Sequence, residues 1–251
     1  MAQISIVVPV YNAAAYIEQT IFMVQKQTFT DWELILVEDC SKDKSREVLR
    51  VITDKLQDSR IRVIYKEKNE GAARARNTGT AQATGKYLAF LDADDIWNET
   101  KLERELAFLQ EKNAAFVFTA YEFGDEQGIG TGRIVKVPDT LTYKQALSRT
   151  VIFTSTTLFD MEKIGKKLLT MPEVPSEDSA TWWQILKAGY TAHGYNEVTT
   201  IYRRPPKSLS SNKGKAIQRI WYLYRNVEKL PLITSAWCFV GWAFRATLRR
   251  L

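Results

Sequence analysis

Residues 86–97 read KYLAFLDADDIW. An apolar, strand-forming run, Tyr87 to Leu91, ends in three carboxylates within four positions: Asp92, Asp94 and Asp95. At neutral pH these groups repel one another. Two explanations compete. The segment is an acidic turn ahead of a helix, where the helix dipole favours negative charge, or its charge awaits a cation. Either way, a buried strand delivers polar groups at its carboxyl end. In open α/β sheets that edge is where ligands bind.

Reading outward from this strand gives the same rhythm. ISIVVPV (4–10) is a continuous β-rich run, as expected for a strand covered on both faces. A helical pattern follows over about 16–26. WELILVE (32–38) is the second strand, and Ser41 or Asp43 can cap a helix reaching about Gln57. IRVIYK (61–66) is the third strand, and residues 71–83 read helical. After the fourth strand, Asn98 caps a helix to about Lys112, and AAFVFTAYEF (114–123) is a fifth strand. This alternation predicts an α/β fold with a mostly parallel central sheet and helices on both faces. Past Gly124 the rhythm changes. GRIVKV (132–137) reads as a short strand and Tyr143–Ser148 as a short helix. Ser176 caps a helix over Glu177–Lys187. TTIYRRPPKSLSSN (199–212) runs from a strand into a polar loop that Pro205 and Pro206 keep irregular. Two helical stretches, Lys213–Glu228 and Leu232–Leu251, are split by Pro231.

The chain has 251 residues, 45% hydrophobic and 25% charged, enough for a real core. Two cysteines, Cys40 and Cys238, and one histidine, His193, exclude a disulfide framework and a histidine-rich zinc site. With a strand-like run at the N-terminus in place of a signal segment, a cytoplasmic location is expected. Net charge is +6, unevenly spread. Residues 203–251 hold 11 Lys or Arg and one acid, Glu228, for +10; residues 1–202 carry −4. A basic tail on a mildly acidic body predicts a polyanionic partner, such as a diphosphate or anionic lipid. Nucleic acid is not expected, because the basic residues lie in no recognisable nucleic-acid-binding fold. The apolar run 230–244 is shorter than the roughly 20 residues a spanning helix needs. With Trp237, Phe239, Trp242 and Phe244, and the arginines 245, 249 and 250, it reads as an in-plane amphipathic helix at a membrane surface, or as a helix packed on the domain.

Four clusters carry the chemistry, three of them at neighbouring strand ends: PVYN (9–12), VEDCSKD (37–43) and DADD (92–95). A hard divalent cation takes one or two carboxylates plus substrate phosphate oxygens. In an Asp-x-Asp, one acid can bond a ribose while the other holds a metal bridging a diphosphate. Arg74 and Arg76, two residues apart on the third helix, face different directions; one of them can reach a diphosphate or order the acidic cluster. The fourth cluster, SEDSATWW (176–183), supplies a second carboxylate, far away in sequence, for general base work. Trp182, Trp183 and Tyr195 read as an acceptor platform or as packing.

The ordered series SIVVPVYN, QTFTDWELILVEDCSKD, NEGAARARNTGTAQATGKYLAFLDADD and SEDSATWWQIL resembles the inverting nucleotide-sugar glycosyltransferases of family 2, with the GT-A fold, of the bacterial surface-polysaccharide type. It covers residues 3–123 closely and runs more loosely to about Asn212. The resemblance implies a glycosyltransferase domain over 1–212, with a nucleotide-sugar half (1–123) and an acceptor half (124–212), and a basic helical extension over 213–251. It also implies transfer from a nucleoside-diphosphate sugar, a uridine one, with Mg²⁺ or Mn²⁺. The acceptor implied is a saccharide hydroxyl, lipid-linked through a polyprenyl carrier, at the inner face of the cell membrane.

Residue by residue, Pro9 and Tyr11 match the loop facing the base, and Asp39 the acid that accepts a uracil N–H. Glu38 stands where the family usually has Asp, and Cys40 where Gly is usual, so an altered turn is expected. Asp92 matches the ribose-contacting acid and Asp94 the metal ligand, leaving Asp95 to support the loop or cap the helix. Arg76 is preferred over Arg74 for the diphosphate. Asp178 matches the base, with Glu177 its rival; a helix N-terminus favours its ionised form. Arg203, Arg204 and Lys207 match the loop near the donor phosphates. Two alternatives stand beside this reading. A sugar nucleotidyltransferase would want a Gly-rich basic loop where this chain has YNAAAYIEQ. An inactive membrane- or polyanion-binding module would not need Asp92, Asp94 and Asp178.

Overall fold

Strand β1 (Ile4–Val10) lies inside the sheet, parallel to β2 (Trp32–Glu38) on one side and β4 (Tyr87–Phe90) on the other. Its side chains alternate between two cores. Ile4, Ile6, Val8 and Val10 enter one apolar cluster, and Val7 enters the other. A strand with both faces covered reads as an unbroken apolar run, which is why ISIVVPV shows no alternation. The computed structural model describes residues 2–204 and 213–248. Among them, β3 (Ile61–Tyr65), β5 (Ile96–Trp97), β6 (Phe116–Gly124), β7 (Gly130–Val135), β8 (Thr140–Leu141), β9 (Thr157–Asp160) and β10 (Ala192–Arg203) complete the sheet. Its order is β3-β2-β1-β4-β9-β6-β10-β5, with β7 on β6 and β8 on β10.

The helices are α1 (Ile17–Gln25), α2 (Ser45–Leu56), α3 (Ala72–Gln82), α4 (Lys101–Glu111), α5 (Tyr143–Leu147), α6 (Met161–Ile164), α7 (Lys166–Leu169), α8 (Glu177–Lys187), α9 (Lys213–Tyr222) and α10 (Leu232–Leu248). Helices α1, α2 and α4 fill one face through Ile17, Ile21, Leu49, Leu102 and Leu106. The other face takes Ala75 of α3, Trp182, Trp183, Ile185 and Leu186 of α8, and Ile220 and Cys238 of α9 and α10. Helix α3 lies close on the sheet because Gly79 has no side chain: a Cβ there would meet Val7 Cγ1 at 2.4 Å.

The parallel β3-β2-β1-β4 set agrees with the expected sheet. The departure is β9, which runs antiparallel between β4 and β6. Its four residues, TLFD, are all buried, so no alternation marks them as a strand. Two expected caps also differ. Thr100 precedes α4, while the Asn98 side chain donates to the Val198 carbonyl. Ser176 precedes α8 with φ +59 and no side-chain cap bond.

Of the two readings of the tail, the contacts bear out packing on the domain. Helix α10 packs on the domain: Ser235 and Cys238 are buried, and Trp242 donates to Thr150 Oγ1 at 2.9 Å. Among the described residues no helix is long and apolar enough to cross a membrane.

Candidate active site

The carboxyl ends of β1, β2 and β4 open on one cavity of about 490 Å³. Pro9, Tyr11 and Tyr16, Asp39, Asn69 and Gly71, and Arg76, Asp92 and Asp94 line it. Three of the motif clusters thus converge, as the strand order requires.

The β1 and β2 loops are zipped together by side chains. Ser41 Oγ accepts the Asn12 N–H at 3.0 Å, and Asn12 Oδ1 accepts the Lys42 N–H at 2.9 Å. Ser45 Oγ accepts from the Ala13 N–H at 2.8 Å. Asn12 and Cys40 both adopt positive φ, +51 and +56. At Cys40 the turn takes the left-handed conformation that favours glycine, and the cysteine bears it.

Glu38 and Asp39, adjacent in sequence, part company. Glu38 is fully buried outside the cavity, accepting from the Ser41 N–H at 2.6 Å and Arg46 Nε at 2.8 Å. Burial raises its pKa, but Ser41 and Arg46 outweigh that and hold it below the ordinary value. Asp39 lines the cavity, and its carboxylate accepts the Gly71 N–H at 2.7 Å, the Asn69 amide at 3.0 Å and Lys66 Nζ at 3.0 Å. It therefore holds two other lining residues, Asn69 and Gly71, in place.

Arg76 is the preferred member of its pair on geometric grounds too. Its side chain is 7% exposed, donates to Asp92 Oδ1 at 2.6 Å and to Glu177 Oε1 at 3.0 Å, and leaves Nε unpartnered. Burial opposes its charge, and the Asp92 and Glu177 carboxylates more than offset that, raising its pKa. Arg74 instead bridges Glu70 and Glu173 on the exposed surface.

The three acids of DADD have separate environments. Asp95 is buried, takes Ser155 Oγ as donor and accepts the Arg203 N–H at 3.3 Å. It supports the loop, as expected. Asp94 is pushed up to about 6, first by burial and then by the Asp92 charge. Holding Asp94 ionised there costs roughly 3 kcal/mol. Asp95 is likewise raised by burial and by both neighbours. Burial of Asp94 and Asp95 beside a third acid suits a divalent cation, which would favour their anionic forms. Among the described residues no three His, Cys, Asp or Glu form a metal cage by themselves. The fit is therefore to a cation that also takes oxygens from a bound diphosphate.

Arg203 departs from expectation. Its guanidinium spends all three nitrogens on protein: Asp94 O at 2.7 Å, Glu126 O at 2.8 Å and Gln19 Oε1 at 2.9 Å. At 4% exposure it braces the acidic loop from behind and is absent from the cavity lining. Lys207 lies outside the described residues.

Asp178 opens α8, partly exposed, with its Oδ1 accepting the Ser179 N–H at 2.6 Å. Thr154 Oγ1 approaches its Oδ2 at 3.5 Å. Burial and then Glu177 raise its pKa; the Ser179 N–H and Arg76 only partly compensate. Desolvation thus outweighs the helix-terminus effect. Trp182 and Trp183 are core residues, 2% exposed, stacked on Phe159 and Tyr224. Tyr195 stacks on Phe108 at 4.6 Å. The three aromatics are packing, with no acceptor platform among them.

Ser155 was not legible as a site residue. Its Oγ accepts the Asp92 N–H at 3.0 Å and donates to Asp95, and its carbonyl accepts Trp97 Nε1 at 2.7 Å. In sequence it sits in TSTT, which reads as an ordinary polar loop.

Residues 5–161 match the family described as Glycosyl transferase family 2. The chain belongs to glycosyl transferase family 2. TuaG of Bacillus subtilis (strain 168), a glycosyltransferase whose name places it provisionally in teichuronic acid biosynthesis, is 42% identical over 249 residues, 99% of this chain and 97% of TuaG. WfgD of Escherichia coli is named a UDP-Glc:alpha-D-GlcNAc-diphosphoundecaprenol beta-1,3-glucosyltransferase. It is 35% identical over 230 residues, 91% of this chain and 88% of WfgD. Among solved structures, the Pyrobaculum calidifontis mannosyltransferase PcManGT, in complex with GDP-Man and Mn²⁺, superposes with a TM-score of 0.73 at 20% identity. It covers 96% of this glycosyltransferase and 73% of its own chain. Staphylococcus aureus TarS 1-349 in complex with UDP-GlcNAc gives 0.71 at 19% identity, over 97% and 72%. At these identities the structures establish the GT-A fold of this family 2 glycosyltransferase.

Proposed function

We propose that the protein is an inverting, divalent-metal-dependent glycosyltransferase that moves a sugar from a UDP-sugar to a hydroxyl of a polyprenyl-linked saccharide. The proposed setting is surface polysaccharide assembly, with the protein peripheral at the inner face of the cell membrane. The reading rests chiefly on one arrangement: Arg76 ties Asp92, in the cavity lining, to Glu177, beside Asp178. The name of WfgD supports the acceptor class, and that of TuaG the polysaccharide setting.

In this reading residues 1–123 hold the nucleotide and 124–212 face the acceptor. The uracil base lies against Pro9 and Tyr11 and meets Asp39, all of which line the cavity. Asp92 bonds the ribose, and Arg76 faces the diphosphate. Asp94 would hold Mg²⁺ or Mn²⁺, which when bound offsets the charge growing on the leaving nucleoside diphosphate. Asp178 takes the proton from the acceptor hydroxyl as its oxygen attacks the anomeric carbon from the face opposite the leaving group. A carboxylate with a raised pKa is a stronger base than an ordinary one. The test is Asp178→Asn. Transfer to a lipid-linked saccharide should be lost, while UDP binding measured by calorimetry stays within about threefold. Surviving transfer would move the base to Glu177 or elsewhere.

A further inference from the structure

Helix α10 is apolar on both sides, and only one side is covered. Its inward face carries Ser235, Cys238, Phe239 and Trp242, which pack on the domain core. Its outward face carries Ile233, Trp237, Val240 and Phe244, exposed by 86%, 81%, 65% and 65%. These four are spaced by four, three and four residues, so they form one stripe along the helix. No charged side chain interrupts residues 230–244. A helix lying on a water-soluble domain usually turns charged residues outward; this one does not.

The segment that carries the stripe is nearly one-signed in charge. Residues 213–248 contain six Lys or Arg and one acid, Glu228. Glu228 is itself paired with Lys187 at 2.8 Å and bonded by Tyr143. Exposed aromatics and aliphatics on a cationic surface complement an anionic bilayer, where apolar side chains enter the interface and basic ones meet headgroups. A second copy of the same basic surface would add like charge.

The helix is also fixed to the part of the fold that approaches Asp178. Gly241 allows close contact, since a Cβ there would lie 3.1 Å from Ser148 Cβ. Arg245 donates to the Ser148 carbonyl at 3.2 Å and Trp242 to Thr150 at 2.9 Å. The segment that follows reaches Thr154, beside Asp178.

We propose that the outward stripe of α10, Ile233, Trp237, Val240 and Phe244, is the surface by which the protein docks on an anionic lipid bilayer, on the side of the fold that holds the 148–154 segment and Asp178. This deepens the membrane-peripheral reading above and rests on it; docking there would present Asp178 to an acceptor held in the bilayer. The test uses the full chain with vesicles of phosphatidylcholine alone or mixed with phosphatidylglycerol. Wild-type protein should float with the mixed vesicles, and an Ile233→Ser, Trp237→Ser, Val240→Ser variant should lose at least tenfold of that partition while binding UDP as before. A blue shift of fluorescence on the mixed vesicles, present in wild type and missing in Trp237→Phe, is the second readout, and it needs no disruptive variant. Unchanged partition of the triple variant, or no shift at Trp237, overturns the proposal. So does a wild-type dimer, seen by sedimentation, that the triple variant dissolves. Failure of UDP binding in wild type would instead sink the donor reading, leaving the vesicle result to stand alone.

Discussion

Asp92 and Glu177 are held by one guanidinium: Arg76 donates to the first at 2.6 Å and to the second at 3.0 Å. The acidic loop after β4 and the start of α8 are therefore one electrostatic unit, assembled by a residue of α3.

Replacing Arg76 by Gln leaves two carboxylates facing each other without their cation. Breaking a buried pair costs about 3–5 kcal/mol. The carboxylates here are 26% and 24% exposed, so the low end applies. Urea unfolding should show a loss of roughly 3 kcal/mol, with UDP affinity falling at least tenfold. Arg76→Lys keeps the charge but not the fork that reaches both acids, and should lie between wild type and Gln. Wild-type stability in both variants would show that the bridge is incidental.

Asp94→Asn should remove the Mn²⁺-dependent part of UDP binding. The ordinary Asp94 carboxyl is held near 6 by burial and Asp92, so a neutral amide fits the metal-free site without penalty. The fold should therefore keep its stability, and calorimetry should show the same weak UDP affinity with and without Mn²⁺. If Mn²⁺ still tightens binding tenfold in the variant, the metal is held elsewhere.

What was legible follows from how each part is encoded. Strands covered on both faces announce themselves as apolar runs, so β1 and β2 were readable to the residue. The site acids were legible because charge at strand ends is unusual. Strand β9 was not, because four buried residues between a turn and a short helix carry no period. Nor were the directions of side chains. Glu38 and Asp39 are neighbours, yet the first turns to Arg46 and the second lines the cavity. Arg203 reads as a free cation near phosphate, but the acidic loop, the loop after β6 and helix α1 each give it an acceptor, Asp94, Glu126 and Gln19. The run 230–244 was legible as apolar; which of its residues turn to the core and which turn outward emerges only from the contacts.

Cys40→Gly should stabilise the protein slightly. Cys40 sits at φ +56. A left-handed non-glycine residue costs about 1–2 kcal/mol, and the added freedom of Gly in the unfolded chain takes back about 0.4–1 kcal/mol. A net gain of about 0.5 kcal/mol is expected in urea unfolding, with UDP affinity unchanged. A loss above about 1 kcal/mol would mean that the thiol's approach to the Glu67 carbonyl, 3.5 Å, outweighs the backbone strain.

The pH dependence of transfer separates the two candidate bases. An ordinary aspartate ionises near 3.9, and Asp178 is held above its ordinary value by burial and then by the Glu177 charge. A base works as its anion, so the rate should fall on the acid side at a higher pH than an ordinary carboxylate would allow. Glu177→Gln removes one negative charge beside Asp178 and leaves Arg76 with one fewer anion to neutralise. Both changes favour the Asp178 carboxylate, so the acid limb of kcat should move to lower pH while activity at neutral pH persists. Were Glu177 the base, the same substitution would abolish transfer at every pH. A limb that moves upward, or stays fixed, would mean that the Glu177 charge does not act on the proton-accepting group.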